Sequence, residues 1–240
     1  MEDFKRFDGR GAAELRPVEL IPDFTKTKGG SVLINWGETQ VLCTALLEEG
    51  AMPFLKNTGM GWLTAEYAML PSSTGDRKKR DGIKKDGRST EIQRLIGRSL
   101  RQALDRQALG ENVIYIDCDV LQADGGTRTA SITGAWAALR LGVDRWLKEG
   151  RLQADPICHQ IAAVSVGLEG DRPLLDLCYQ EDSRAQVDMN LVMNEAGEFI
   201  EIQGTGEGRS FSRRELDALL ALGEAGIRTL MEKQRAILRK

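Results

Sequence analysis

Histidine is nearly absent from this chain of 240 residues, and His159 is its single example. A Ser-His-Asp or Cys-His arrangement would hang on that one ring, beside Cys158, so nucleophilic catalysis of that kind is not expected. Cysteine is sparse as well. Cys43, Cys118, Cys158 and Cys178 stand far apart with no Cys-x-x-Cys pair, which removes the usual spacing of a zinc site and fits reduced, mostly buried thiols. There is no run of 18 apolar residues, and the opening Met1-Glu2-Asp3-Phe4-Lys5 lacks the apolar stretch of a secretory signal. Membrane insertion and export lose their usual sequence basis, and the cytoplasm is the expected compartment.

What is present is the mixture of an ordinary globular protein, 41% hydrophobic and 29% charged. The length suits one large domain or two small ones, and folding at this size buries roughly 70–75% of the chain's surface, so neither metal nor disulfide is needed for the fold. A net charge of −3 argues against indiscriminate binding of polyanions. Local basic ground exists all the same. Between Asp76 and Arg88 stand Arg77, Lys78, Lys79, Arg80, Lys84, Lys85 and Arg88 against only Asp76, Asp81 and Asp86.

Periodicity predicts strands at 31–36, 39–46 and 62–69, although Ala, Glu and Met in the last leave a helix open. Residues 74–88, with Gly75, Gly82 and Gly87, read as a mobile loop. A capping box Thr90-x-x-Gln93 then opens a helix carried by Ile92, Leu95, Ile96, Leu100, Ala103 and Leu104 and ended by Gly110. Arg94, Arg98 and Arg101 form a stripe on its opposite side, most simply a solvated face or a subunit contact. A strand at 113–121 leads through Asp124-Gly125-Gly126 into a helix capped by Thr127 or Thr129 and reaching about Glu149, rich in small residues that permit close packing. Further strands are expected at 160–168, 173–179, 187–194 and 198–203. A glycine-rich turn and a final helix from Ser212-x-x-Glu215 follow. Strands then helix occur twice, and the class is α+β.

Two segments carry chemistry. In Asp124-Gly-Gly-Thr-Arg-Thr-Ala-Ser131 a strand enters two glycines and then a helix start, where free N–H groups and the helix dipole favour an anion. Threonine hydroxyls and the Arg128 guanidinium would complete a phosphate cradle, though the same residues also suit an ordinary strand–helix turn. No Gly-Lys-Ser/Thr follows, so this is not a Walker loop. In the second segment, strands at 174–179 and 187–194 are expected to pair as a hairpin. Asp182 then lies in the connection and Asp188 at the start of the return strand. Two carboxylates without His or Cys suit Mg²⁺ or Mn²⁺ with several waters retained, and also read as an acidic surface hairpin. Arg88 follows a glycine at a helix start, where it could converge on an anion. Gly204-Thr-Gly-Glu-Gly208 is a weak phosphate-like signal without GxGxxG spacing.

Five ordered blocks carry a resemblance. They are Gly59–Pro71 (GMGWLTAEYAMLP), Gly87–Arg101 (GRSTEIQRLIGRSLR), Asp124–Ile132 (DGGTRTASI), Glu181-Asp-Ser with Asp188-Met-Asn190, and Glu201–Gly208 (EIQGTGEG). Together they resemble the RNase PH family nearly end to end. The resemblance implies a phosphorolytic 3′→5′ exoribonuclease that trims tRNA precursors with inorganic phosphate as co-substrate and releases nucleoside diphosphates. It implies phosphate binding by Arg88, Gly126, Thr127 and Arg128, and Mg²⁺ (or Mn²⁺) binding and catalysis by Asp182 and Asp188. It places RNA near Arg77, Lys78, Lys79 and Arg80. The implied fold is a pseudo-duplicated β/α unit related to ribosomal protein S5 domain 2, a single domain over 1–240 with halves 1–150 and 151–240. The implied assembly is a homohexamer, a trimer of dimers. Where family members carry an arginine after the Met-Leu-Pro block, Ser72-Ser73 stand here. Relatives that bind RNA without cutting it would lack the arginines or the acidic pair, and this chain has both; a nucleoside phosphorylase acting on small molecules would have less use for the basic loop.

Overall fold

Alternation of inward and outward residues builds the first sheet of the computed structural model, which describes residues 6–79 and 86–239. Arg80, Gly82, Lys84 and Lys85 of the expected loop lie outside the described residues. Strands β1 (Val18–Pro22), β2 (Gly30–Trp36) and β3 (Thr39–Glu49) form an antiparallel meander. Strand β4 (Trp62–Met69) lies at the far edge, parallel to β5 (Asn112–Gln122), in the order β1-β2-β3-β5-β4. The ambiguity over 62–69 resolves to strand because Leu63, Ala65 and Tyr67 alternate into the core while the backbone pairs residue by residue with β5.

Helix α1 (Gly87–Arg101) begins earlier than the Thr90 box predicts. The Asp86 carboxylate accepts from Ser89 N at 2.5 Å and caps it, and the Thr90 hydroxyl donates back to Asp86 O at 2.9 Å. It also ends earlier than Gly110. Asp105 caps a separate short helix, α2 (Arg106–Leu109), through Gln107 N and Ala108 N, and Gly110 at φ +63° closes that one.

Helix α3 (Thr127–Lys148) packs on β2 and β3 of the first sheet and on β6 (Ile161–Glu169) of the second. A helix covered on opposite sides has no polar face to spare, which explains its run of buried Ala130, Ile132, Ala135, Ala137, Ala138 and Leu139. Its glycines set the approach distance: a Cβ at Gly134 would meet Cys43 Sγ and Ile34 Cγ2 at 2.9 Å.

The second sheet comprises β6, β7 (Arg172–Leu175), β8 (Val187–Asn194) and β9 (Phe199–Gly206), all antiparallel in the order β7-β6-β8-β9. The expected hairpin between 174–179 and 187–194 is therefore wrong. Strand β6 is buried along almost its whole length and takes partners at both edges, so it separates β7 from β8. The chain between them winds into a short helix, α4 (Tyr179–Asp182). Gly204 and Gly206 belong to β9, opposite Met189 and Val187, rather than to a turn.

Helix α5 (Arg213–Leu238) opens on the Ser212/Glu215 capping box as expected and packs on β6, β7 and β1. Its fully buried Gln234 donates to Thr133 O and Ile161 O at 2.9 and 3.0 Å, tying α5 to α3 and β6. Strands followed by a long helix thus occur twice around one continuous core, a mixed α/β architecture. Cys43, Cys118 and Cys178 are buried and Cys158 is exposed. No helix among the described residues is long and apolar enough to cross a membrane.

Candidate active site

The turn that follows β5 is clamped from two directions. Thr39 on β3 donates its hydroxyl to Gly125 O at 2.8 Å and accepts from Asp124 N at 2.9 Å. Arg16 donates to Asp124 O at 2.5 Å, and its fork is fixed by Asp176 through Nη2–Oδ1 at 2.6 Å and Nε–Oδ2 at 3.0 Å. Asp176 sits at φ +56°, a left-handed conformation uncommon outside glycine that aspartate adopts more readily than most residues. Bonds from Arg16 N at 2.7 Å and Trp36 Nε1 at 2.8 Å over-determine it there.

Gly125 and Gly126 take φ +73° and +66°, and Gly126 is the N-cap of α3. No side chain caps this helix, contrary to the expectation for Thr127 or Thr129; the Thr129 hydroxyl bonds back to Gly126 O at 2.9 Å. The first N–H groups of α3 therefore face the cavity without an intrahelical acceptor, beside the positive end of a 22-residue dipole. Arg128, one turn position on, donates to Gln203 Oε1 at 2.7 Å and Glu91 Oε1 at 3.2 Å. Arg88 lines the same cavity from the start of α1.

The carboxylates line the same cavity. Asp182 ends α4 and Asp188 is the second residue of β8. Burial, then the charge of Asp182, pushes the Asp188 carboxyl up to about 6, although Arg128 opposes this. Burial also raises Asp182, against the pull of Arg88 and Arg128. The cavity has a volume of about 760 Å³ and gathers Arg88, Gly126, Thr127, Arg128, Asp182 and Asp188 on one wall set.

Residues 14–142 match the first domain of the 3′ exoribonuclease family and residues 159–226 match its second. Ribonuclease PH of Synechococcus sp. (strain JA-2-3B'a(2-13)) is 54% identical over 238 residues, 98% of either chain. The chain belongs to the 3′ exoribonuclease family. Among solved structures, an Archaeoglobus fulgidus exosome with RNA bound to the active site is similar at a TM-score of 0.82 and 26% identity, over 96% of this chain and 93% of that one. Rice Rrp46 aligns at a TM-score of 0.79 over 97% of this chain and 100% of its own, and at 19% identity speaks for the fold alone. The enzyme is accordingly a phosphorolytic 3′→5′ exoribonuclease.

Within the exoribonuclease the basic segment divides. Arg77 and Lys78 line the cavity, Lys79 is exposed outside its lining, and Arg80 lies outside the described residues. The arginine stripe divides too: Arg94 is exposed, Arg98 pairs with Glu201 at 2.7 Å, and Arg101 stacks 4.5 Å above the Trp62 ring. Glu207, just past β9, adds a carboxylate to the cavity and raises both aspartates; it sits in the weak glycine-rich segment. Arg16, Thr39, Tyr67 and Asp176 went unpredicted, since each acts through contacts made across more than 50 residues of sequence.

The donor set fits a hard divalent cation. Two half-buried carboxylates repel one another with no histidine or cysteine among the residues lining the cavity, and a cation between them would relieve that repulsion. Among the described residues no group of three or more His, Cys, Asp or Glu could hold a metal ion. A cation here would complete its shell with water and substrate phosphate, as Mg²⁺ commonly does.

Proposed function

We propose that orthophosphate seats on Gly126, Thr127, Arg88 and Arg128 and attacks the terminal phosphodiester of an RNA strand whose 3′ end lies against Asp182 and Asp188. One phosphate oxygen forms a bond to the terminal phosphorus, and the bond from that phosphorus to the preceding O3′ breaks. The products are a nucleoside 5′-diphosphate and an RNA one nucleotide shorter, the proton of the attacking hydrogen phosphate passing to the departing O3′. The observation that carries this reading is the meeting of cationic donors and a carboxylate pair in one cavity.

Two anions must converge for this reaction, so charge is the main barrier. Arg128 arrives already oriented by Gln203 and Glu91, and the glycine turn arrives clamped by Thr39 and Arg16, so little is left to organise when substrate binds. Mg²⁺ or Mn²⁺ held by Asp182 and Asp188 would supply Lewis-acid neutralisation of the developing charge. No protein nucleophile is required, consistent with the near absence of histidine.

The substrates are tRNA precursors with a free 3′ end, guided by Arg77 and Lys78 and, further along, Lys79 and Arg80. Residues 1–150 and 151–240 act as halves of one unit, because Arg88 and Arg128 come from the first and both aspartates from the second. A cytoplasmic homohexamer, a trimer of dimers, completes the proposal, and light scattering tests the assembly. Labelled RNA incubated with Mg²⁺, with and without phosphate, tests the chemistry. Nucleoside diphosphates are expected only with phosphate; monophosphates appearing equally in both would mean hydrolysis and overturn it.

A further inference from the structure

Tyr67 is a buried, titratable group that the reaction above does not use. It lies on β4 with 1% of its surface exposed, and its phenol oxygen stands 2.9 Å from Thr127 Oγ1. Among the described residues the phenol meets no other hydrogen-bonding partner. A buried hydroxyl left without an acceptor is costly, which assigns the phenol hydrogen to Thr127 Oγ1. The reverse polarity would strand it. Burial pushes the phenol above its ordinary value of 10 despite the Thr127 bond, so the hydrogen is present at neutral pH.

The direction of that bond fixes the direction of the next. With Oγ1 accepting from Tyr67, the Thr127 hydroxyl hydrogen is free to point into the cavity that Thr127 lines. The neighbouring threonines have no such freedom, because Thr129 bonds Gly126 O and Thr39 bonds Gly125 O. The ionised oxygens of orthophosphate are acceptors, and the Thr127 hydroxyl meets them as a donor.

We infer that Tyr67 is a positioning residue for phosphate, holding Thr127 as an obligate hydrogen-bond donor through the chain Tyr67 O–H to Thr127 Oγ1–H to phosphate. The inference rests on Thr127 belonging to the phosphate site. Ionised acceptors take the stronger kind of hydrogen bond, so misdirecting this one is felt by phosphate first.

The test uses the full-length enzyme. Inorganic phosphate binding without RNA is measured by calorimetry, and the apparent constants for phosphate and RNA are measured in the phosphorolysis assay. Tyr67→Phe should weaken phosphate about five- to tenfold in both measurements while moving the RNA constant less than twofold. Thr127→Ala should weaken phosphate at least as much, and the double variant should be no worse than Thr127→Ala. Tyr67→Phe binding phosphate normally while Thr127→Ala does not would overturn the relay and leave the phosphate site standing. Normal phosphate binding by both variants would overturn the phosphate site itself. Equal losses for RNA and phosphate in Tyr67→Phe would mark a general structural role and also overturn the relay. If Tyr67→Phe does not fold, 3-fluorotyrosine at this position, a stronger donor, should tighten phosphate; unchanged or weaker binding would be contrary to the inference.

Discussion

Arg6 and Glu181, 175 positions apart, form a buried fork in which Nε donates to Oε1 at 2.5 Å and Nη2 donates to Oε2. Glu181 also accepts from Cys178 N at 3.0 Å, closing the first turn of α4, so this one carboxylate holds the helix that ends in Asp182. Arg6 further donates to Leu175 O and Asp176 O, at 2.6 and 2.9 Å. The segment before β1 is thereby stitched to the helix that carries Asp182 into the cavity.

Burial alone would raise the Glu181 carboxyl, but the Arg6 hydrogen bonds and charge overcome it and hold it below its ordinary 4.5. The unfolded chain therefore takes up this proton first as pH falls. Its contribution to stability is complete above the ordinary carboxylate range and is lost as pH drops through the folded value. Denaturant titrations of the parent protein should show that acid-side decline. Glu181→Gln should cost about 3 kcal/mol at neutral pH and flatten the decline. An unchanged acid slope in the variant would remove Glu181 from this role.

Local patterning made β2, β3, β5 and α5 legible, because in each the burial period is clear; β1 carried no such mark, β4 was legible only as strand or helix, and α3 was legible as a helix without its cap. Ser212 and Glu215 mark α5 as clearly in the chain as in the fold. Where a signal had a close rival, the nearer one lost: Asp86 caps α1 ahead of Thr90, and Asp105 interrupts the helix before Gly110 can end it. The pairing of β7 was not legible, since nothing local says that β6 will occupy the position between β7 and β8. In the cavity, the residues with distinctive local chemistry were named from sequence. The clamps behind them (Arg16, Thr39, Tyr67 and Asp176) depend on long-range contact and carry no local mark.

Gly125 has a second reason to be glycine besides φ +73°. A Cβ there would lie 2.7 Å from Cys178 C and Tyr179 N, both backbone atoms that cannot swing aside. Gly125→Ala should cost at least about 2 kcal/mol, from left-handed strain plus the clash, and should displace α4 from the turn. Thermal unfolding reports the cost. A variant as stable as the parent would mean that this close approach is absent in solution.

Asp188→Asn keeps the shape of the side chain and removes the charge that Asp182 repels. Since burial and Asp182 already push the Asp188 carboxyl up to about 6, neutralising it should leave the fold as stable as before or slightly more so. Turnover should fall by at least about a hundredfold while RNA binding is retained. Manganese binding followed by electron paramagnetic resonance should weaken in parallel. Undiminished turnover would dismiss the carboxylate pair from catalysis.

Arg128→Ala removes a guanidinium that Gln203 and Glu91 hold in place. Charge-assisted bonds to an anion of this kind are worth about 1.5–3 kcal/mol, so the apparent phosphate constant should rise by about ten- to a hundredfold. The RNA constant should move much less. Equal effects on both substrates would put the cradle elsewhere in the cavity.

Arg77 and Lys78 line the cavity, and they should act through RNA phosphates rather than bases. Each backbone phosphate neutralised on a single strand contributes about 0.7 to the slope of log affinity against log salt. Replacing both residues by alanine should weaken binding similarly for unrelated RNA sequences and reduce that slope by about 1.4. Fluorescence anisotropy across a salt series measures it. A slope unchanged by the double substitution would return these two charges to the solvent, whatever the affinity at one salt concentration.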